Sequence, residues 1–428
     1  MLNCPISRRH FLRLNAGVVA AGLLSRGRAQ HETIRLGFVL PLRTGQALSL
    51  PNTQELAGEA AYKGAVMGGE DFGAAIGRKK DLEVVFSSAP DETAALRAAE
   101  RLAATEEVLA LIGGFGERQA RALGAVAGNR KVLFFNIGSA SDVLRGPACN
   151  RYTFHIEASA AMYLDALAGW FTQAGFRRWI FVYPETDEGD ALYKRAREAL
   201  SQGPGGATEA GAVMVPEVPI YYEAVEAIKQ AKPDVVLLLL EWQSQLDFLA
   251  YYEAAGLEYA ITGFPYPITQ TRDFFIFSKG VAPYGNSDYR VALWEATLMA
   301  HSARQLNERF FGRWGVPMDP PAWAAYQAVK IMSEAIPAVD TLSSAKLAAY
   351  LESSRARFDV QKGVRVFFQP LDHQLNQPLY MVKGNYAAEK PLAMANLISE
   401  QPTHTTVANS GQGLRRRGKY QGETDCKP

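Results

Sequence analysis

Ile34-Arg35-Leu36-Gly37-Phe38-Val39-Leu40 decides the fold. From Leu36 onward the run has no alternation of apolar and polar residues, so the strand it forms must be covered on both faces. An Ala-rich stretch with apolar residues at helical spacing follows a start at Asn52-Thr53, and another start lies at Asp91. The unit then repeats, with strands predicted at residues 34–40, 82–86, 109–112 and 132–135. A second series begins after Phe154, with strands predicted at 179–183, 212–215, 235–240 and 259–262. Two such βα series predict an α/β protein of two doubly wound, Rossmann-like lobes in tandem.

The next section has a different texture. Residues 290–294 read as a strand, and helical stretches at 300–311 and 323–336 flank the breaker Gly315-Val316-Pro317-Met318-Asp319-Pro320-Pro321. One strand and two helices are too little for a third domain. They are expected to complete the first sheet, while 364–368 and 379–382 return to the second. Crossings near Phe154, Asn286 and Phe358 then give lobe 1 as residues 30–154 plus 287–357 and lobe 2 as 155–286 plus 358–390. Residues 391–428 read as a poorly ordered tail. A three-crossing hinge of this kind can close a cleft on a ligand.

The chain opens with Ser7-Arg8-Arg9-His10-Phe11-Leu12, an apolar run at 14–24, and Gly27-Arg28-Ala29. The order is that of a twin-arginine export signal, residues 1–29, cleaved before Gln30. The run is too short for the ~17–25 residues of a membrane span. A periplasmic location is therefore expected. Of the three cysteines, Cys4 leaves with the leader, and Cys149 and Cys426 are expected to form a disulfide in an oxidising compartment. The alternative is one buried thiol and one free thiol in the tail. Forty-five basic residues against 44 acidic ones leave no field that would attract nucleic acid or an anionic membrane.

Signals for catalysis are weak. Gly113-Gly114-Phe115-Gly116 lacks the Gly-x-Gly-x-x-Gly spacing, no histidine sits in a metal-ligand spacing, and Gly-x-Ser-x-Gly is absent. No cofactor, metal or catalytic residue is expected. His155, His301 and His373 read as structural, the last in a hydrogen-bonding role.

Leu36 to Gly45, Leu111-Ile112-Gly113-Gly114, Phe181-Val182-Tyr183 and Lys232-Pro233-Asp234 stand in an order that resembles the type I periplasmic solute-binding proteins of ABC importers, the branched-chain amino-acid-binding class. The likeness runs from Ile34 to Lys383. A narrower likeness, to the substrate-binding proteins encoded beside pyrroloquinoline-quinone-dependent alcohol dehydrogenase systems, rests on four stretches. They are Asp142 to Gly146 with Cys149, Arg290 to Trp294, Pro317 to Trp323, and Asp372 to Pro378. The resemblance implies a monomer without enzymatic activity that delivers a small solute to the membrane subunits of an ABC permease. The rivals are an exported oxidoreductase or cofactor-carrying subunit, and a sensor or accessory protein of an alcohol-oxidation system.

In open parallel sheets ligands lie beyond the carboxyl ends of the strands. That rule selects Arg43 and Thr44, the stretch Phe115, Gly116 and Glu117, and the loop Ser139, Ala140 and Ser141 in the first lobe. In the resembling family the equivalent loops bind the ligand's carboxylate; Ser139 and Ser141 would equally serve as helix caps. In the second lobe the rule selects Glu188, Glu241, Trp242 and Tyr266. Glu188 falls where the family often carries a ligand-stacking Tyr, and the family's ammonium-binding carboxylate falls near Pro265. An ordinary α-amino acid is therefore not expected. An acidic rim suggests a ligand of cationic, hydroxyl or metal-ion character, with Trp242 or Tyr266 as an apolar wall. Acidic residues at helix starts also simply satisfy the helix dipole.

Overall fold

The computed structural model describes residues 32–43, 53–74, 80–203, 206–216, 220–283, 288–401 and 426. The leader, Thr44 and most of the tail lie outside the described residues. The first sheet contains β1 (Glu32–Leu40), β2 (Lys80–Ser88), β3 (Ala110–Gly113), β4 (Leu133–Asn136) and β5 (Thr153–His155), all parallel, in the order β2-β1-β3-β4-β5. β3 and β4 are buried at every position, as coverage on both faces requires. The crossover helices are α1 (Thr53–Phe72), α2 (Glu92–Ala104) and α3 (Glu117–Arg130). α2 starts where Asp91 accepts the Ala94 amide at 2.8 Å.

The second lobe runs through α4 (Ala160–Gln173), β6 (Arg178–Pro184), α5 (Asp187–Gln202), β7 (Thr208–Val215), α6 (Tyr222–Ala231), β8 (Val235–Leu238), α7 (Trp242–Ala254), β9 (Ala260–Gly263), α8 (Arg272–Val281) and β10 (Asp288–Ala292). Then come α9 (His301–Trp314), α10 (Pro320–Val339), α11 (Ser344–Leu351), β11 (Phe358–Asp359), β12 (Arg365–Phe368), β13 (Leu375–Asn376), β14 (Leu379–Gly384) and β15 (Ala395–Gln401). The second sheet has seven strands in the order β15-β14-β10-β9-β8-β6-β7, and β11-β12-β13 form a small separate sheet.

Three expectations are corrected. The strand expected at 290–294 does not complete the first sheet: β10 lies between β9 and β14 in the second. Its Arg290 is buried there, with Nε donating to Asp288 Oδ1 at 2.8 Å and the guanidinium 4.7 Å from the Phe274 ring centre. Residues 364–368 join the small sheet instead of the second sheet, because β12 pairs only with β11 and β13. The segment from 391 is not all tail, since β15 pairs antiparallel with β14.

α9 and α10 do return to the first lobe. Gly64 of α1 lies so close to α10 that a Cβ there would stand 1.9 Å from the Ala322 carbonyl oxygen. Tyr326 of α10 donates to Asp71 of α1 at 2.7 Å. The lobes are thus connected after β5, after β10 and between β13 and β14, and Gln374, just before β13, bridges to His155 of β5.

Buried side chains tie these connections together. Gln374 Nε2 donates to the Glu157 carbonyl at 3.0 Å and Gln377 Nε2 to that of Ile156 at 2.6 Å. Lys362 Nζ donates to the Leu293 carbonyl at 2.5 Å, to Gln377 Oε1 at 2.8 Å and to the Pro378 carbonyl at 2.9 Å. Burial drives the Lys362 pKa well below its ordinary value.

Candidate functional site

The carboxyl ends of β1, β3 and β4 face one edge of the first lobe, and those of β6, β8 and β9 an edge of the second. After β3 the chain turns through Gly116, whose φ of 91° suits glycine and above which a Cβ would meet nothing within 4 Å. Glu117 opens α3 and accepts a hydrogen bond from Ser141 Oγ at 2.7 Å. Ser141 also accepts the Val143 amide at 3.3 Å, so capping and the link to Glu117 fall on one hydroxyl. Phe115, expected among the ligand contacts, is 3% exposed and packed against Gly138 in the core.

The loop after β4 is committed inward. Asn136 Oδ1 accepts the amides of Gly138 at 3.2 Å and Ser139 at 2.9 Å, and the Ile137 amide donates to the Gly113 carbonyl at 2.9 Å. Arg145, fully buried, donates to the carbonyls of Ser139 at 2.9 Å and Ser141 at 2.8 Å. Ser139 and Ala140 are themselves buried. The carboxylate cradle expected of Ser139, Ala140 and Ser141 is therefore not formed by the Gly138 and Ser139 amides, which already have an acceptor. Arg43 stands at the end of β1 with its Nε 3.9 Å from Glu55.

In the second lobe Thr186 caps α5 by accepting the Gly189 amide at 3.0 Å, which leaves Glu188 free of that role. Glu241 is the residue before α7 and makes no side-chain capping bond. Trp242 packs partly buried against the apolar cluster around β8. Tyr266 follows β9, with its ring centre 4.9 Å from that of Phe264. Although Glu188 is exposed, crowding that strips part of its solvent, then Glu241 and Glu117, pushes its carboxyl above the usual range, opposed by the Arg118 guanidinium. Burial, then Glu188 and Glu241, holds the Tyr266 hydroxyl well above its ordinary value and so neutral. Glu117 and Arg118 of one lobe thus act on Glu188 of the other. Beside them Asp142 Oδ2 lies 4.0 Å from Arg195 Nε across the lobes.

A profile described as periplasmic binding protein matches residues 33–390. The chain belongs to the periplasmic binding protein family. Among solved structures, this periplasmic binding protein is similar to a branched-chain amino-acid ABC transporter periplasmic ligand-binding protein from Burkholderia xenovorans, at 17% identity and TM-score 0.73, covering 86% of this chain and 95% of that one. A branched-chain amino-acid transporter substrate-binding protein from Streptococcus pneumoniae, in complex with isoleucine, matches at 16% identity and TM-score 0.68 over 86% and 99%. A solute-binding protein of an ABC transporter from Rhodopseudomonas palustris, in complex with 3,4-dihydroxybenzoic acid, matches at 14% identity and TM-score 0.68 over 86% and 97%. A search of the curated proteins finds no matching relative. Among the described residues, no helix is long and apolar enough to cross a membrane.

Sequence reasoning missed the polar groups beneath the cleft of this periplasmic binding protein. Glu157 accepts the Tyr163 hydroxyl, Gln270 Nε2 donates to that hydroxyl at 3.0 Å, and Gln270 Oε1 accepts the Leu293 amide at 2.7 Å. Burial pushes the Glu157 carboxyl up to about 7. Arg272 pairs with Glu295, while its amide donates to Asp319 Oδ2 at 3.1 Å, linking α8 to the start of α10. The signal available was the density of Gln and charged residues in segments that are otherwise apolar.

Proposed function

We propose that the chain is the solute-capturing component of an ABC importer, and that it takes a cationic or polyhydroxylated small molecule between Glu117 and Ser141 of one lobe and Glu188, Glu241 and Tyr266 of the other. The observation that carries this is the placement of Glu117, bonded to Ser141, and of Glu241, without a capping bond, on the two sides of Glu188, whose carboxyl both raise above its usual range. Three carboxylates bring their repulsion into one place, and a bound cation or a set of hydroxyl donors relieves it. A carboxylate ligand would add to that repulsion. The inward turn of the Gly138 and Ser139 amides takes away two donors it could use. Arg8-Arg9 and the segment after it support export of a folded chain to the periplasm, and the four stretches named above support a place beside alcohol oxidation. We expect it to work as a monomer with the membrane subunits of its permease.

A thermal-shift screen over amines, polyols, amino acids, aromatic acids and metal ions tests the ligand class. A ligand at 100 times its Kd stabilises by about 2.7 kcal/mol, well within reach of such a screen. Amines, metal ions or polyols should stabilise, and Glu188→Gln or Glu241→Gln should weaken the response. Stabilisation by aromatic acids alone would reverse the assignment.

A further inference from the structure

Away from the cleft, Cys149, Cys426 and His373 meet in a buried corner of the first lobe. Cys149 and Cys426 are bonded, with Cα atoms 4.9 Å apart. Both sulfurs and a ring nitrogen of His373 lie within 4.8 Å of one another. We propose that reduction of this disulfide turns the corner into a site for a thiophilic divalent cation of the zinc class, held by the two thiolates, His373 Nε2 and Glu352.

His373 is already oriented as a metal ligand is. Its Nδ1 lies 2.9 Å from the Thr153 carbonyl, which can only accept, so Nδ1 carries a hydrogen and Nε2 is the ring atom left to meet a ligand. Nε2 is buried without a hydrogen bond. The ring stacks on Phe154 at 4.4 Å between centres. The His373 backbone is held at φ 51°, a conformation a non-glycine residue keeps only where its surroundings fix it. Glu352 Oε1 stands 3.4 Å from Nε2, close to the separation of two ligands each about 2.0–2.2 Å from a tetrahedral ion. Charge also balances. Two thiolates and Glu352 bring three negative charges, which a divalent cation and Arg151, with Nε 3.6 Å from Glu352, offset.

The redox step needs a dithiol reductant. Its two thiols form a disulfide as the Cys149–Cys426 bond takes up two electrons and two protons, and those protons pass to solvent when the cation binds. The site thus exists only in the reduced chain.

The full-length protein, reduced with a phosphine and freed of it under anaerobic conditions, is titrated with Co2+. The expected result is a single tight equivalent with thiolate-to-cobalt charge-transfer absorption and the intense visible bands of tetrahedral Co2+, absent from the oxidised protein. Cys426→Ser, which alters only a residue near the chain's end, should abolish the charge-transfer band, and Glu352→Gln should weaken binding about tenfold or more. No thiolate absorption in the reduced wild type, or a spectrum unchanged in Cys426→Ser, would overturn the proposal.

Discussion

Asn136 Oδ1 accepts the Ser139 amide at 2.9 Å, and Asn136 Nδ2 returns a bond to the Ser139 carbonyl at 2.7 Å. This reciprocal pair turns inward the loop that would otherwise present its backbone to a ligand. Nδ2 also donates to His155 Nδ1 at 3.0 Å, which fits the neutral ring that burial imposes on His155. Asn136→Ala leaves several buried groups unpartnered at about 1–3 kcal/mol each. A loss of roughly 3 kcal/mol or more in urea unfolding is expected, and a loss below 1 kcal/mol would show that the loop does not depend on this side chain.

Lys362 holds the Leu293 and Pro378 carbonyls and Gln377 Oε1 with one ammonium. Lys362→Met keeps the length and the contact with the Trp323 ring but strands three acceptors. The variant should unfold at distinctly lower urea, by several kcal/mol in sum. Unchanged stability would mean that the connections are held by backbone pairing alone.

Glu157 supplies a pH dependence. Its pKa rises from an ordinary 4.5 to about 7 on folding, so between those values the folded chain holds a proton that the unfolded chain has released. Stability from this group is therefore complete below the lower value and falls as pH rises through the window, by roughly 3 kcal/mol at about 1.4 kcal/mol per unit. Burial gives Asp319 the same sign, with a value of about 7. Urea unfolding at about pH 5 and about pH 7.5 should show the decline in the wild type and a smaller one in Glu157→Gln. Equal slopes in the two proteins would remove Glu157 from the account.

The disulfide joins residues 277 apart in sequence. In the entropic treatment so long a loop has a ceiling of about 5 kcal/mol. Reduction is expected to cost less than that ceiling. Peptide mapping without reductant should recover Cys149 and Cys426 in one linked fragment, whereas two alkylatable thiols in periplasmic material would exclude the bond.

The parallel parts of the two sheets were legible because residues 36–40 of β1, β3, residues 133–135 of β4 and β8 carry no polar side chain, a pattern that local sequence carries by itself. β10 was harder. Its Arg290 meets Gln245 and Phe274, distant partners that only folding brings together. β15 was invisible because an edge strand exposed over residues 396–398 shows neither periodicity. The places of Glu117, Glu188 and Glu241 after strands could be read, since the loops at the carboxyl ends of such sheets follow from topology. That the Ser139 loop points inward could not, because Asn136 lies in the strand before it and reads only as a strand residue.

The central claim is that the two lobes close on one small solute. It is tested most directly by small-angle scattering of the full protein, free and saturated with the strongest stabiliser from the thermal-shift screen. The account predicts a smaller radius of gyration with that compound and a weakened effect in Glu188→Gln. An unchanged scattering profile at proven saturation would contradict it.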